Sequence, residues 1–528
     1  MSKKQNSTPF HYGEDTLTVK TALELAHSQR QGLLSEKALP KIRASWQAVQ
    51  DIVKSGRTVY SINTGFGALC RVAISAEDTK KLQDNILRSH SVGVGENVPD
   101  EISLLMLVLK IHALALGYSG VAIETLERIQ WHIDNRIVPL VPCQGSVGAS
   151  GDLAPLAHLF LPLIGLGKVS VNGVIKDTAE VFKEFNLAPL SLGPKEGLAL
   201  INGTQFIQAF AIKAVERFNN LLDASDIIGA LSLESMLGSD KPFDAKLHDL
   251  RPFPGAKHVA FRLRALLKNS ELVISHQDCD RVQDPYSLRC MPQVHGASRD
   301  AWLHLKTQLD VEINSVTDNP VIFSAEDTVS GGNFHGQPLA LPLDYLALAA
   351  SEIGNISDRR TYLLLEGKVR GLPMLLMKNT GINSGFMIPQ YTSAALVSEN
   401  KSLCYPASAD SIPTSLGQED HVSMGSISGR KACRILDNLE NILAIEALSA
   451  AQAFDFHRPL KSSKILEAVH AGIRALIPHV EEDRVFSDDI ALMRDFIASK
   501  KLVTTAHASA AATKIDLNGD QDERFGLH

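Results

Sequence analysis

Hydrophobic residues recur at three- and four-residue steps over long parts of the chain, a pattern that predicts long amphipathic helices. The clearest run begins after Thr204 and continues towards Leu237. Its apolar positions are Phe206, Ile207, Phe210, Ala211, Ala214, Val215, Phe218, Leu221 and Leu222. We expect Thr204 to be the N-cap of this helix, which would be roughly 50 Å long.

Two other segments repeat the pattern. One has apolar residues at Trp302, Leu305, Leu309 and Ile313, and the other at Ile435, Leu436, Leu439, Ile442, Leu443 and Ala447. Helices of this length exceed the diameter of a small domain, so we expect an all-α bundle that other subunits complete. We expect three regions that act as one catalytic unit: an N-terminal region (1–203), a central long-helix bundle (204–455) and a C-terminal helical cap (456–528).

Strand signals are scarce. Residues 168–176, KVSVNGVIK, alternate valines around Asn172-Gly173, which predicts a hairpin with a type I′ turn on the surface of the protein. Three stretches interrupt the helical pattern: 60–69, 142–155 and 400–429. Irregular loops on a rigid scaffold are common positions for catalytic residues.

Charge and composition exclude several classes of protein. The 528 residues include 52 Lys and Arg and 59 Asp and Glu, for a net charge of −7, and no basic block stands out. A nucleic-acid-binding surface is therefore not expected. A small anionic substrate would have to be bound by one or two individually placed arginines.

A membrane protein is also not expected. The most apolar stretch, 104–123, is interrupted by Lys110 and His112, so it predicts a buried helix rather than a membrane span. The polar N-terminus lacks the apolar run of a signal peptide. The six cysteines form no CxxC pair, which favours reduced thiols in a cytoplasmic protein.

Common catalytic motifs are absent from the sequence. It contains no P-loop, no dinucleotide-binding GxGxxG after a strand and no HExxH zinc motif, so no metal site is expected. Ser150 lies in Gly148-Ala149-Ser150-Gly151-Asp152, which does not match the G-x-S-x-G nucleophile elbow. A serine hydrolase is therefore not indicated.

The glycine-rich string at 145–159, GSVGASGDLAPLAHL, has an unusual composition. Gly145, Gly148 and Gly151 alternate with small residues, so the backbone there can fold tightly on itself. Taken alone, this predicts a tight turn that Asp152 caps before a helix.

The whole string resembles the signature of the aromatic amino acid ammonia-lyase and aminomutase family. Further segments resemble the family in the same order: YSINTGFG (60–67), SHSVGVG (89–95), LINGTQ (200–205), QDPYSLR (283–289), GGNFHGQP (331–338) and GQEDHVSMG (417–425). The resemblance implies a superhelical all-α fold shared with fumarase-like lyases, in a homotetramer with shared active sites. It also implies that Ala149-Ser150-Gly151 cyclises and loses water to form 4-methylideneimidazol-5-one. This group is an electrophile that standard side chains do not supply, and no metal or diffusible cofactor is implied.

The resemblance assigns roles to individual residues. It implies that Tyr60 is the base that removes a β-proton from an amino acid substrate and that Arg289 binds the substrate carboxylate, which suits a planar bidentate donor. Asn202 and Tyr286 resemble residues that hydrogen-bond the prosthetic ring and the amino group.

Two more residues resemble partners of the ring. Gln283 matches a hydrogen-bonding position beside the ring, and Phe334 matches a position that packs next to the ring-forming loop.

Three positions favour L-histidine as the substrate, with trans-urocanate and ammonia as products. His90 matches the position that faces the substrate ring, and Glu419 matches a carboxylate placed beside a substrate imidazole. Met387 resembles the residue that histidine-specific members of the family carry at its position. Ser91 departs from the alanine that histidine enzymes often carry, and it would add a hydroxyl to the pocket. The segment 389–391 is also less typical.

These departures leave a tyrosine ammonia-lyase or tyrosine 2,3-aminomutase open as the alternative. Two other readings have less support. A fumarase-like lyase with a catalytic serine loop lacks its GSSxMPxK signature here, and a non-catalytic helical scaffold would make the ordered family segments a coincidence.

Overall fold

Most of the described residues are helical, as the periodicity predicts. The structure, a computed structural model, describes residues 8–59, 62–65, 74, 76–277, 282–519 and 522–527. The N-terminal helices are α1 (Val19–Ala26), α2 (Leu39–Ser55), α3 (Ala76–His90), α4 (Asp100–Ala115), α5 (Ile123–Asp134), α6 (Leu153–Phe160), α7 (Thr178–Glu184) and α8 (Glu196–Ile201). The later helices are α9 (Gln205–Ser235), α10 (Ala245–Asp249), α11 (Pro254–Leu266), α12 (Glu271–Ile274), α13 (Tyr286–Arg289), α14 (Met291–Glu312), α15 (Gln337–Leu365), α16 (Met387–Leu403), α17 (Gly425–Asp455), α18 (Lys464–Leu476), α19 (Phe486–Ala498), α20 (Lys501–Thr513) and α21 (Asp522–Phe525).

Short strands decorate this helical frame. They are β1 (Phe10–Tyr12), β2 (Gly32–Leu34), β3 (Val94–Asn97), β4 (Ile137–Pro139), β5 (Pro142–Gln144), β6 (Lys168–Val171), β7 (Val174–Asp177), β8 (Val321–Ile322) and β9 (Thr328–Val329). β1 and β2 pair in parallel, whereas β3–β5, β4–β6–β7 and β8–β9 pair antiparallel. The predicted hairpin is β6–β7, with positive φ at Asn172 and Gly173. It is more than a surface ornament, because β6 also pairs with β4.

The long helices α9, α14, α15 and α17 pack side by side and form the centre of the molecule. Almost every residue of α9 is buried, because neighbouring helices cover it on several sides. A helix hydrophobic over most of its surface is typical of the centre of a large bundle. The expected long-helix bundle is therefore confirmed.

Buried charges cross-link this bundle. The Asp226 carboxylate on α9 accepts hydrogen bonds from Arg262 Nε (2.9 Å), Arg299 Nη2 (2.6 Å) and His295 Nδ1 (2.8 Å). The two guanidinium groups and the imidazole hold the pKa of Asp226 below its usual range, although burial acts in the opposite direction. Breaking such a buried pair typically costs about 3–5 kcal/mol, so these contacts fix the relative positions of α9, α11 and α14.

The apolar stretch at 104–123 forms α4 and the turn after it, and from Ile102 to Ala115 every residue of α4 is buried. Within the described ranges, no helix is long and apolar enough to span a membrane. The cysteines that the structure describes, Cys143, Cys290, Cys404 and Cys433, carry free thiols.

The segment 400–429 is only partly a loop. α16 extends to Leu403 and α17 begins at Gly425, so the irregular part is limited to 404–424. The Ser- and Gly-rich start of α17 is helical because neighbouring helices press against it. For example, a Cβ on Gly429 would lie 2.8 Å from Phe210 Cβ. The division into regions 1–203, 204–455 and 456–528 stays a prediction.

Candidate active site

The glycine-rich loop between β5 and α6 has a backbone that requires glycine. Gly145, Gly148 and Gly151 have φ of 122°, 81° and 80°, and Ser150 itself has φ of 49°. A Cβ on Gly151 would lie 2.0 Å from the Gly203 carbonyl oxygen, a distance that no side chain tolerates. The tight turn expected from the sequence is therefore confirmed, and it lies directly against a second glycine.

The Asn202–Gly203 segment holds the loop on both sides of Ser150. Gly203 N donates to the Ser150 carbonyl (3.1 Å), and Asp152 N donates to the Gly203 carbonyl (2.8 Å). From the other side, Met424 N donates to the Val147 carbonyl (3.0 Å) and Ser426 Oγ donates to the Ser146 carbonyl (2.8 Å). The end of α8 and the start of α17 thus fix the loop in one conformation.

Asp152 does not cap the helix that follows it. Its side chain makes no capping hydrogen bond in α6, and instead Asp152 Oδ2 accepts from Ile207 N (3.0 Å) in the first turn of α9. Thr204 is the N-cap residue of α9, as expected, but its side chain makes no capping bond. Its hydroxyl instead donates to Glu312 Oε1 (2.5 Å) and accepts from Gln208 Nε2 (2.9 Å). Burial raises the pKa of the Asp152 carboxyl to about 7, although the amides of Ile207 and Phe206 and the Ser146 hydroxyl oppose this.

Asn202 is 2% exposed and has a side-chain oxygen without a partner among the described residues. Its Nδ2 donates to the Asn319 carbonyl (3.0 Å) and to Asp318 Oδ1 (3.3 Å). Asp318 Oδ2 in turn accepts from Lys195 Nζ (2.6 Å). Because a buried amide oxygen without a donor is costly, Asn202 Oδ1 is a candidate acceptor for a ligand or a modified loop.

Three other predicted site residues, His90, Glu419 and Phe334, lie at the same end of the bundle. His90 is the last residue of α3, and the chain just after it contacts the loop, since a Cβ on Gly145 would lie 3.3 Å from Gly93 Cα. Burial lowers the pKa of His90, which favours its neutral form. Glu419 lies five residues before Met424 and is half-buried, and its Oε2 accepts from Thr414 Oγ1 (3.2 Å).

Phe334 is half-buried in the segment that leads into α15. Its neighbour His335 has Nε2 3.3 Å from the His421 carbonyl oxygen, so this segment contacts the one that carries Glu419. Ser91 does not add a free hydroxyl to the site as expected, because its Oγ donates to the Leu87 carbonyl (2.7 Å) one turn earlier. This satisfies the hydroxyl locally and weakens Ser91 as an argument against histidine.

The remaining described site residues form a second group. Tyr286 is 72% exposed, and the Arg289 guanidinium lies 4.7 Å from the centroid of its ring. Arg289 Nε is shielded from solvent and has no partner among the described residues. Gln283 is exposed just ahead of them, and Met387 begins α16, whose Gln390 Nε2 donates to Asp358 Oδ1 (3.2 Å).

The two groups lie at opposite ends of the central helices. The loop contacts Ile207 at the start of α9, whereas Gly229 faces Met291 and Arg360, which adjoin the Tyr286–Arg289 turn. The 22 residues from Ile207 to Gly229 correspond to about 33 Å along a helix axis. Within one chain, the structure therefore does not bring Arg289 to the Ser150 loop.

Tyr60 lies outside the described residues, and its role stays a prediction. Sequence reasoning missed Lys110, Lys195 and Asp318, which are buried around Asn202. In the sequence, Lys110 stands out only because it interrupts an apolar stretch. A lysine inside such a run is a usable signal, because lysine is almost never fully buried without a compensating contact.

The described residues contain no group of three or more His, Cys, Asp and Glu side chains that could hold a metal ion.

Known proteins resemble the chain over nearly its full length. It is 48% identical to the histidine ammonia-lyase of Sorangium cellulosum over 490 residues, which cover 91% of this chain and 95% of that protein. The solved structure of histidine ammonia-lyase from Trypanosoma cruzi matches with a TM-score of 0.89 and 39% identity, over 98% of this chain and 97% of that one. Tyrosine aminomutase from Streptomyces globisporus matches with a TM-score of 0.90 and 34% identity, over 95% and 99%.

The family model described as aromatic amino acid lyase matches residues 17–475. This match covers the Ser150 loop, both groups of candidate site residues and the four central helices. The chain belongs to the aromatic amino acid lyase family.

Proposed function

We propose that this protein is a histidine ammonia-lyase, which eliminates ammonia from L-histidine to give trans-urocanate. The observation that supports ammonia-lyase chemistry is the conformation of the Ser150 loop. Ser150 and Gly151 have left-handed φ, and Gly151 lies against Gly203 where only glycine fits. The choice of histidine is supported by histidine ammonia-lyases that are 44–48% identical over at least 90% of this chain.

The residues around the loop fit the prosthetic group that this family implies. Ring closure between Gly151 N and the Ala149 carbonyl carbon needs a glycine at the attacking position and a tightly folded backbone, and both are present. Asn202 Oδ1 is buried and has no partner among the residues that the structure describes, so it could accept a hydrogen bond at this site. The 4-methylideneimidazol-5-one formed from Ala149-Ser150-Gly151 supplies an electrophilic carbon.

The side chains at the loop suit a substrate with an imidazole ring. A neutral His90 can exchange a hydrogen bond with an imidazole, and Glu419 offers a carboxylate acceptor for the imidazole N–H. Arg289 Nε has no acceptor within the described part of the chain, and the planar guanidinium suits bidentate binding of the substrate carboxylate. We assign removal of the β-proton to Tyr60, and contacts around the ring to Gln283, Tyr286, Phe334 and Met387.

We propose that each site is completed by another copy of the chain, in a homotetramer. Two observations support this: the Ser150 loop and Arg289 are about 33 Å apart along α9, and Tyr286 is largely exposed in the single chain. We further propose a cytoplasmic location, in keeping with the free thiols.

The direct test combines an intact mass with two activity assays. Protein with the cyclised loop should be lighter than the sequence mass by two waters. The same preparation should convert L-histidine to urocanate with a higher kcat/KM than it shows for L-tyrosine. Ser150→Ala serves as the control that cannot form the ring.

The alternatives predict other products. Coumarate as the main product would identify a tyrosine ammonia-lyase, and β-tyrosine would identify a tyrosine 2,3-aminomutase. A full sequence mass together with histidine turnover would contradict the proposed role of Ser150.

A further inference from the structure

Lys110 is a fully buried lysine next to the ring-forming loop. It lies in the middle of α4, is 1% exposed, and has buried residues before and after it in the helix. Its Nζ donates to the Asn202 carbonyl oxygen at 2.5 Å. No described carboxylate forms an ion pair with it, so the peptide carbonyl is its direct partner. Burial of a lysine is unfavourable, so a contact kept at this cost suggests a role beyond packing.

The carbonyl that Lys110 binds belongs to the same peptide unit as Gly203 N. That amide donates to the Ser150 carbonyl at 3.1 Å. One peptide unit thus links the ammonium group to the Ser150 carbonyl oxygen. Hydrogen bonds arranged in a chain polarise one another, so the hydrogen bond that Lys110 donates to the Asn202 carbonyl makes Gly203 N–H a stronger donor.

The Ser150 carbonyl oxygen is where negative charge develops during maturation of the loop. Ring closure joins Gly151 N to the Ala149 carbonyl carbon. The Ala149 oxygen leaves as one water with the protons of Gly151 N–H and Ser150 N–H, and a double bond forms between the Ala149 carbonyl carbon and Ser150 N. The second water is formed from the Ser150 hydroxyl and the Ser150 Cα proton. As that proton leaves, its electron pair is delocalised onto the Ser150 carbonyl oxygen while the Cβ–Oγ bond breaks. A donor placed at a developing oxyanion lowers the barrier of such a step.

We propose that Lys110 is a positioning residue that acts on the Ser150 carbonyl through the Asn202–Gly203 peptide and accelerates the dehydration of Ser150. This inference rests on the proposed function, because it requires that the loop cyclises. In the matured loop the same oxygen is conjugated with the electrophilic carbon, so donation to it also favours attack by the substrate amine.

The surrounding charges are compatible with this role. Lys195, Asp318 and Asp152 are the charged groups that act on Lys110, and all three are buried. Burial lowers the pKa of Lys110 to about 7, while the two carboxylates oppose that shift. Lys195 pairs with Asp318 at 2.6 Å, so Lys110 is the lysine whose Nζ is directed at the peptide that holds the loop.

The test compares maturation in Lys110→Met with wild type. Methionine keeps the length of the side chain and removes both the charge and the donor. Protein is made in a cell-free system, and intact mass is followed over time to measure the fraction that has lost two waters. We expect loss of water to be slowed by about tenfold or more, since one oxyanion donor is commonly worth 10²–10³ and Lys110 acts one peptide away. We also expect kcat for histidine to fall in the fully matured protein.

His112→Gln is the matched control. His112 lies on the same helix and is equally buried, but it contacts Gly13 N and Asn314 Oδ1 instead of the loop. This variant should mature at the wild-type rate even if its melting temperature falls. Lys110→Gln is the second variant: it retains a neutral donor, and we expect its maturation to be slowed as well.

Each outcome decides the inference. Maturation of either Lys110 variant within a factor of about two of wild type would overturn it. Failure of both variants to fold would also overturn it, because Lys110 would then be needed for the fold itself. A wild-type protein that never loses two waters would contradict the proposed function instead.

Discussion

Chains that carry Ser150→Ala and chains that carry Arg289→Ala should restore activity when they assemble together. The reason is the separation of about 33 Å, along α9, between the Ser150 loop and the turn that carries Arg289. An arginine side chain cannot span that distance. If Arg289 binds the substrate as proposed, a complete site has to take the loop from one chain and Arg289 from another.

The expected recovery follows from this geometry. If the two chains mix at random, half of the sites receive an intact loop and half receive an intact Arg289, so about a quarter of wild-type activity should return. A site built from one chain would give no recovery, since neither chain has both residues. The two variants must be co-expressed with different affinity tags and purified through both tags, because long-helix bundles can resist exchange of subunits. Urocanate formation is then measured per mole of tetramer.

A second pair of variants provides the control. Ser150 and Asn202 are held together in one chain, because Gly203 N donates to the Ser150 carbonyl. Co-expressed Ser150→Ala and Asn202→Ala chains should therefore stay inactive. Recovery in this control pair, or no activity in verified mixed tetramers of the first pair, would refute the shared site.

Four further predictions concern single residues. Ser150→Ala should fold but show neither the two-water mass loss nor turnover, and near-normal activity would contradict the proposed cyclisation. Gly151→Ala should lower the melting temperature and block maturation, because the new Cβ would lie 2.0 Å from the Gly203 carbonyl oxygen. A φ of 80° at alanine alone costs roughly 1–2 kcal/mol. A variant that matures would show that the loop can move away from Gly203. Arg289→Lys should lower kcat/KM by an amount equivalent to about 2 kcal/mol or more of transition-state stabilisation, since an ammonium cannot make the bidentate carboxylate contact. Activity within a factor of about two of wild type would show that Arg289 is structural. Glu419→Ala should lower histidine kcat/KM by about 1–3 kcal/mol and lower the ratio of histidine to tyrosine turnover. Thr414→Val is the control, because it removes the hydroxyl that bonds Glu419 Oε2 (3.2 Å) and the Glu419 carbonyl (3.4 Å) but keeps the carboxylate. An unchanged ratio in Glu419→Ala would remove Glu419 from substrate recognition.

Local features of the sequence determined most of the elements. The apolar positions from Phe206 to Leu222 predicted α9, and Asn172-Gly173 predicted the turn between β6 and β7, because helical periodicity and left-handed φ depend on neighbouring residues. The glycines at 145, 148 and 151 likewise predicted a tight turn. The resemblance of the sequence to a known family identified the lyase fold and proposed its site residues.

Only the tertiary structure decided which of these residues meet. Asp152 caps α9 rather than the helix that follows it, and Lys110 binds the Asn202 carbonyl 92 positions away. The Ser150 loop and Arg289, both assigned to one site, lie at opposite ends of the bundle. Such contacts depend on how the helices pack, and that packing is set by buried side chains far apart in the chain. A local pattern can therefore identify a helix or a turn, but it does not show which residues from distant segments lie together.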